Sequence, residues 1–271
     1  MNTNFFSISV LEGLRILLIN VQKHTSLEEA KKLSRISRPS KSKYDLDSAY
    51  DLIMEYGKDY FSVSQDNEIK IHRNNLSKLI KVLRPGWFEK VELGRSFVFD
   101  EVEQEKNAVE IFHTFEICKL RYDTDFETIF WWKNLANEFR SSNSNIEKGI
   151  DGELLTMSYE RDQLQKLDIN EFPLLSSLDD ETLGYDVISF RKHLNSTKRI
   201  YIEAKYSSGM RFFLTRNEWE SAENYKDDYF LYFWNEGSRG PRILKYSEVS
   251  KYIPKDKKSS RWETLSIRLD N

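Results

Sequence analysis

GYDVISFRKHLNSTKRIYIEAK, residues 184–205, is the stretch of sequence that decides the predicted fold. Its beginning, Gly184–Phe190, predicts a turn that enters a strand, and its end, Arg199–Lys205, predicts a second strand. Successive side chains of a strand point to opposite faces. Glu203 and Lys205 therefore share one face, and Ile200, Ile202 and Ala204 occupy the other. Two neighbouring strands therefore gather two acidic residues, Asp186 and Glu203, and one lysine.

The flanking segments extend this pair of strands. A helix that contains Glu153 and runs to about Lys166 precedes them. Its predicted buried face consists of Leu154, Leu155, Tyr159 and Leu164. Downstream, Arg211–Leu214 predicts a third strand, Thr215 caps a second helix, and Asp228–Trp234 predicts a last strand. The predicted order is helix, three strands, helix, strand.

The acids and the lysine make little structural sense at neighbouring strand positions unless a cation lies between them. Mg²⁺ prefers oxygen ligands, so Asp186, Glu203 and the Ala204 carbonyl are the predicted ligands of Mg²⁺ or Mn²⁺. Such a metal polarises a phosphodiester and lowers the pKa of its bound water. Lys205 would orient or activate that water, or stabilise the charge of the transition state. Glu153 would supply a further ligand or fix a metal-bound water.

The second helix begins with two further polar residues whose role has two interpretations. Asn217 and Glu218 lie in its first turn and either face the cleft or serve the helix start. A side chain that caps the first turn, and an acidic group that compensates the helix dipole, explain both residues without a function.

The succession of a helical Glu, a strand Asp and Glu203-Ala204-Lys205 resembles the PD-(D/E)XK nuclease superfamily, which has the restriction-endonuclease fold. A narrower resemblance is to the NO VEIN C-terminal domain family. It is carried by Gly184–Ser189, Tyr201–Lys205, Phe212–Ala222 and Tyr229–Tyr232 and covers about residues 146–236. Tyr185 stands where the superfamily has a proline before its active Asp. The resemblance implies a nuclease-like fold and, in bacteria, association with restriction or anti-phage machinery.

The N-terminal region predicts mostly helices. Apolar residues at three- and four-residue spacing predict a helix over Val10–Gln22; a second helix ends near Ser34, and a third runs from about Asp45 to Tyr56. Alternation in Tyr60–Val63 and again in Ile69–His72 predicts a hairpin. Three helices followed by a hairpin is the order of a winged helix, a module that binds DNA or another protein.

The middle of the chain is rich in aromatic residues. Asn75–Leu83 predicts a helix, and the segment from Trp87 to Arg140 predicts a mixture of short strands and helices. Phe130-Trp131-Trp132 is a candidate base-stacking patch, with burial in a core as the alternative. Ser141–Asn145 predicts a linker. The predicted fold class is α+β, with a helical module at residues 1–85, a connecting region at 86–142 and a restriction-endonuclease-like domain at 143–271.

Charge is distributed unevenly along the chain. The net charge of −3 does not mark the whole chain as a nucleic-acid binder. Lys23–Lys43, however, has seven basic residues against two acidic ones, and Ser238 to the end has nine against four. Such stretches either contact phosphates or form an ordinary solvated surface. The candidates for backbone contact are Lys31, Lys32, Arg35, Arg38, Lys41, Lys43, Lys257 and Lys258.

Several classes of protein are excluded by what the sequence lacks. There is no phosphate-binding Gly-rich loop and no dinucleotide-binding fingerprint, and the spacing of His24, His72 and His113 is not that of metal ligands. No run approaches the roughly 20 apolar residues of a membrane helix, and no secretory signal is expected. The single cysteine, Cys118, predicts a buried small side chain and suits a reducing cytoplasm.

The sequence therefore predicts a cytoplasmic metal-dependent endonuclease that cuts nucleic acid, with DNA as the first choice, in restriction or anti-phage defence. A duplex cut needs two active sites, so a homodimer or a partner protein of the defence system is expected. One alternative is a catalytically silent nuclease fold that serves as a binding or scaffold module. Another is a DNA-binding regulator led by the N-terminal module. Carboxylates that converge beside Lys205 would favour the nuclease, and carboxylates that point apart would favour the silent module.

Overall fold

The computed structural model describes residues 4–23, 26–36, 44–63, 67–138, 145–194, 196–256 and 261–269, with the backbone alone for 145–148. The chain divides into two units. The first unit comprises residues 1–91 and 98–135, and the second comprises residues 92–97 and 136–271. Helices dominate the first unit and a mixed five-stranded sheet lies in the second, so the fold class is α+β. In the described ranges, no helix combines the length and apolar character needed to cross a membrane.

Helices follow one another from residue 8 to residue 137. They are α1 Ile8–Lys23, α2 Leu27–Ile36, α3 Leu46–Tyr56, α4 Glu68–Leu83, α5 Arg95–Val102, α6 Ala108–Ile117 and α7 Phe126–Asn137, with 3-10 turns at Lys58–Tyr60 and Gly86–Leu93. The first three predicted helices are confirmed. The Asp45 carboxylate accepts the Ser48 N–H at 2.9 Å at the start of α3, and Gly57 ends that helix with a φ of 87°. Glycine adopts this positive φ without the steric penalty of a side chain.

The predicted hairpin at residues 60–72 is wrong, because residues 68–83 form one continuous helix. Asn67 caps α4 by accepting the Lys70 N–H at 3.0 Å. The apolar residues that suggested a strand belong to a longer helical pattern whose buried members are Ile71, Leu76, Leu79 and Ile80. A four-residue alternation fits both periods, and the longer spacing decides in favour of the helix. The winged-helix interpretation therefore loses the hairpin on which it depended.

The aromatic segment after Trp87 is helical in its described residues and contains no strand there, so the predicted mixture was wrong in its strands. Trp131 and Trp132 are buried, and their ring N–H groups donate to the carbonyl oxygens of Arg73 and Leu120 at 2.9 and 2.8 Å. The core interpretation holds for these two tryptophans. Cys118 is also fully buried, and burial raises the pKa of its thiol to about 12. Of the predicted linker Ser141–Asn145, residues 141–144 lie outside the described residues, and Asn145 is the first residue of a helix.

The second unit contains the five-stranded sheet and a separate two-stranded sheet. Its elements are α8 Asn145–Lys166, β1 Leu174–Leu175, β2 Val187–His193, β3 Ser196–Ser207, β4 Arg211–Thr215, α9 Arg216–Tyr225, β5 Tyr229–Asn235, β6 Arg242–Lys245, α10 Tyr246–Val249 and β7 Thr264–Arg268. The main sheet has the order β1-β2-β3-β5-β6, in which β3 and β5 are parallel and the other neighbours antiparallel. The predicted succession of elements is present, but β4 pairs with β7 outside the main sheet.

The register between β3 and β5 sorts side chains onto the two faces of the sheet. Glu203 lies beside Leu231, and Lys205 lies beside Phe233. Leu231 and Phe233 pack in one apolar cluster with Trp219 of α9, so Glu203 and Lys205 face α9. Trp234, one position out of phase, donates its ring N–H to the Thr156 hydroxyl of α8 at 2.8 Å. Helices α9 and α8 therefore cover opposite faces.

The face that α8 turns to the sheet is unusually polar. Glu160 is fully buried and makes a two-pronged ion pair with Arg191 of β2, at 2.6 and 2.8 Å. The Tyr232 hydroxyl donates to the same carboxylate at 2.7 Å and accepts from Arg191 at 2.8 Å. Leu155, predicted to be buried, is exposed. Because hydrogen bonds satisfy both charged groups, the network specifies how α8 sits on the sheet.

Replacing Arg191 with alanine should destabilise the protein, because it leaves the buried Glu160 charge without its cation. We expect a loss of about 3 kcal/mol in the free energy of unfolding, measured by urea denaturation followed by circular dichroism. The matched control is Lys192→Ala at the exposed neighbouring position, which should stay within about 0.5 kcal/mol of the wild type. Equal losses in the two variants would contradict the assigned role of the network.

Candidate functional site

Asp186 is held against β3 at the point where β2 begins. Its N–H donates to the Ile202 carbonyl at 2.9 Å, and its Oδ2 accepts the Ala204 N–H at 2.8 Å. Its own carbonyl accepts from the N–H of Ser176 at 2.8 Å. The N–H and C=O of a strand residue point to the same strand edge. The Ala204 carbonyl therefore points to the side on which the Asp186 carboxylate lies.

Gly184 allows the backbone to pass close to α9 two residues before Asp186. Gly184 has a φ of +70°, which side-chain-bearing residues rarely adopt. A Cβ at this position would lie 2.6 Å from the Asn217 carbonyl oxygen and 2.7 Å from the Ser221 hydroxyl. The Gly184 carbonyl accepts a hydrogen bond from the Tyr229 hydroxyl at 3.1 Å. Close packing against α9 and the left-handed backbone both explain why the Tyr-Asp pair follows a glycine.

Lys205 lies between two carboxylates. Its Nζ is 2.7 Å from Glu203 Oε1 and 2.9 Å from Glu218 Oε2. The three side chains are largely buried, with exposed fractions of 17% for Lys205, 6% for Glu203 and 15% for Glu218. The cluster combines one residue pair from β3 with one residue from the first turn of α9.

Glu218 both caps the start of α9 and faces the charged cluster, which are the two roles considered from the sequence. Its Oε2 accepts the Thr215 N–H at 2.9 Å, and its own N–H donates to the Thr215 hydroxyl at 3.3 Å, which completes a capping box. The same oxygen contacts Lys205. Asn217 does neither, since its amide donates to the Thr182 carbonyl at 2.8 Å. A capping role alone explains a Glu at the third helical position, so the sequence carries no separate signal for the contact between Glu218 and Lys205.

Negative charge is in excess at this cluster. Burial raises the pKa of Glu203 well above its usual value, and the nearby charges of Asp186 and Glu218 raise it further. Burial alone would lower the pKa of Lys205, but the charges of Glu203, Glu218 and Asp186 raise it instead. Burial and the same three carboxylates raise the pKa of the Tyr229 hydroxyl. The charges of Asp186 and Glu218 thus act on Glu203, and Lys205 is the cation that pairs with Glu203 and Glu218.

Glu153 lies on α8, which covers the face of the sheet opposite to Glu203 and Lys205. It is buried, and the preceding Gly152 packs directly on β3. A Cβ at Gly152 would lie 3.2 Å from the Tyr206 Cβ and 3.7 Å from the Lys205 carbonyl carbon. The predicted site residues Asp186, Glu203, Ala204 and Lys205 are therefore neighbours. Glu153 packs near the same part of β3 but from the opposite face, so its predicted role at the metal stays a prediction.

The predicted basic contacts are distributed differently. Lys31 and Arg35 on α2 both pair with Asp47 of α3, at 2.8 and 2.5 Å. Asp47 therefore neutralises part of their positive charge within the first unit. Lys32 on the same helix is exposed. The other candidates, Arg38, Lys41, Lys43, Lys257 and Lys258, lie outside the described residues. Nucleic-acid contact by these residues stays a prediction.

Comparison with protein families bears on the segment that contains the cluster. Residues 152–245 match the model of the family described as Protein NO VEIN, C-terminal. The match spans about a third of the chain and extends from α8 through the last residue of β6. It supports the assignment of this segment to that family. Comparisons with curated proteins and with solved structures give no match.

Replacing Glu203 with glutamine should stabilise the protein at neutral pH. A carboxylate whose pKa is raised on folding binds more protons in the folded state, so its cost to stability grows as pH rises above the unfolded value near 4.5. We expect the variant to melt at least about 2 °C higher at pH 7, and the difference to vanish below pH 4.5. Thermal denaturation followed by circular dichroism across this pH range measures it. Glu223→Gln, an exposed position on α9, is the control; an unchanged or lower midpoint for Glu203→Gln would refute the excess of negative charge.

Proposed function

We propose that the second unit is a metal-dependent nuclease of the PD-(D/E)XK type that hydrolyses phosphodiester bonds, with DNA as its first candidate substrate. The observation that carries the proposal is the cluster itself: Glu203 and Glu218 both pair with the Lys205 ammonium group in a largely buried setting, and the charge of Asp186 acts on the same group. Stability alone gives little reason to retain three mutually repelling carboxylates there. Sites that sacrifice stability in this way are common where chemistry takes place.

The residues fit a hard divalent cation. Asp186, Glu203 and the Ala204 carbonyl offer oxygen ligands, and the excess of negative charge is what Mg²⁺ or Mn²⁺ would neutralise. Within the described residues, no three acidic side chains of this cluster have oxygen atoms all within 4.8 Å of one another. Mg²⁺ suits such an incomplete set, because it keeps several waters. When bound, the ion would act as a Lewis acid toward the scissile phosphate.

Lys205 is best suited to stabilise charge. Glu203 and Glu218 hold its ammonium group in one position, and the surrounding carboxylates raise its pKa, so it stays protonated at neutral pH. A protonated lysine donates hydrogen bonds and stabilises the negative charge that develops on a phosphate. Of the two roles predicted from the sequence, this favours stabilisation of the transition state over abstraction of a proton from water.

A silent binding or scaffold module is the second candidate. The observation in its favour is that Glu203 and Glu218 already pair with Lys205, which leaves the lysine only 17% exposed. Substrate or metal must draw part of this ion-pair cluster apart. Restriction or anti-phage defence remains the proposed setting for both candidates, as the resemblance seen in the sequence implies.

Purified protein should cut a panel of plasmid, linear DNA and RNA when Mg²⁺ or Mn²⁺ is present and should be inactive in EDTA. Asp186→Ala and Lys205→Ala should each lower the rate at least about 100-fold. Asp162→Ala, at an exposed position on α8, should cut like the wild type. Cutting that survives both site substitutions would place the activity elsewhere or in a contaminant. No cutting by wild-type protein on any substrate would favour the silent module.

A further inference from the structure

A second cluster of ionisable side chains lies in the first unit, far in sequence from the candidate nuclease site. It joins Glu12 of α1 to Glu68 and His72 of α4. Glu68 and His72 are four positions apart, so their side chains lie on the same face of α4. His72 is not recognisable as a ligand from the sequence, because Ile69–His72 suggests a strand and Glu12 lies 60 positions away.

The separations within the cluster suit a small cation. His72 Nε2 is 2.9 Å from Glu12 Oε1 and 3.7 Å from Glu68 Oε1, and one ligand atom from each residue lies within 4.8 Å of the others. Metal–ligand bonds of about 2.1 Å place neighbouring ligand atoms about 3.0 to 3.4 Å apart. Small rotations of the Glu68 side chain, which is 58% exposed, would bring all three atoms to that spacing.

The surroundings of His72 point the imidazole into the cluster. The ring is 1% exposed, and Nδ1 has no hydrogen-bond partner among the described residues, so Nε2 makes its only polar contacts there. A buried polar ring normally satisfies both nitrogens. His72 thus gains little as a structural residue, and the nitrogen that it does use faces two carboxylates.

Charge and the outer contacts also favour a cation. Arg15 donates to Glu12 Oε2 at 3.0 Å, which is the oxygen that does not contact His72. Carboxylate ligands of metals are commonly held by such a second contact. Arg15 also lies 4.0 Å from Glu68 Oε1, so the carboxylates of Glu12 and Glu68 share one guanidinium and negative charge is in excess over it.

We propose that Glu12, Glu68 and His72 bind a first-row transition-metal dication, with Zn²⁺ as the reference ion. An imidazole with carboxylates suits such ions, whereas Mg²⁺ and Ca²⁺ prefer oxygen ligands alone. The exposed side of Glu68 leaves the remaining position to water, so the ion exchanges with solvent. Bound metal would tie α1 to α4 and stabilise the first unit in proportion to metal concentration. The proposal does not depend on the nuclease activity of the second unit.

The test is calorimetric titration of Zn²⁺ into the full chain after removal of metals with a chelator. Every protein carries Asp186→Ala, so that the candidate site of the second unit is disabled. Glu68→Gln is the main test variant, because Glu68 is a surface residue and its change leaves the core intact. Glu12→Gln is the second test variant. Glu55→Gln, exposed on α3, is the matched control. Co²⁺ absorption in the visible range, a readout of imidazole and carboxylate ligation, is recorded on the same proteins.

We expect one Zn²⁺ per chain, and affinity at least about tenfold weaker in both test variants, with the control unchanged. Melting temperatures without metal show whether each variant is folded. Equal Zn²⁺ affinity in Glu68→Gln and in the control overturns the proposal. So does the absence of binding at Zn²⁺ concentrations up to about 100 μM, an affinity too weak for a built site; the cluster is then only a Glu–His hydrogen bond steadied by Arg15.

Discussion

The parallel register of β3 against β5 is the constraint on which the second unit depends. It sets Glu203 beside Leu231 and Lys205 beside Phe233, on the face covered by α9. A shift of one residue would exchange the two faces and turn both charged side chains toward α8. Two hydrogen bonds oppose such a shift. Trp234 donates to the Thr156 hydroxyl, and the Ala204 N–H donates to the Asp186 carboxylate. The positions of Glu203 and Lys205 thus depend on strand pairing rather than on a loop.

The second unit contains two buried groups of charged side chains, and their charges are balanced in one group but not in the other. Glu160, Arg191 and Tyr232 are mutually satisfied, and each donor has an acceptor, so they specify how α8 packs. At Lys205 the charges do not balance, since three carboxylates act on one ammonium group. Burial strengthens both the attraction and the repulsion there, because the low dielectric screens neither. The imbalance makes the second grouping a candidate for binding a cation or a phosphate and the first a structural element.

The first unit shows how far helices alone can bring polar residues together. Helix α4 is long enough to place Glu68 and His72 on the face that meets α1, where Glu12 lies. Arg73, the next residue, turns to the other side and donates to the carbonyl oxygens of Cys118 and Lys119. Helix α4 therefore carries the proposed ligand pair on one face and, on another face, an arginine that holds two backbone carbonyl groups.

The sequence by itself determined the local elements of the second unit. The strand patterns predicted β2 and β3, and Thr215 as a capping residue predicted the start of α9, because both signals depend only on near neighbours. The Asp-and-Glu-x-Lys pattern likewise placed Asp186, Glu203 and Lys205 together. Only the tertiary structure decided that β4 pairs with β7, that Glu218 reaches Lys205, and that Glu12 meets His72. Those contacts join residues distant along the chain, and packing of whole elements, which no local pattern encodes, brings them within reach.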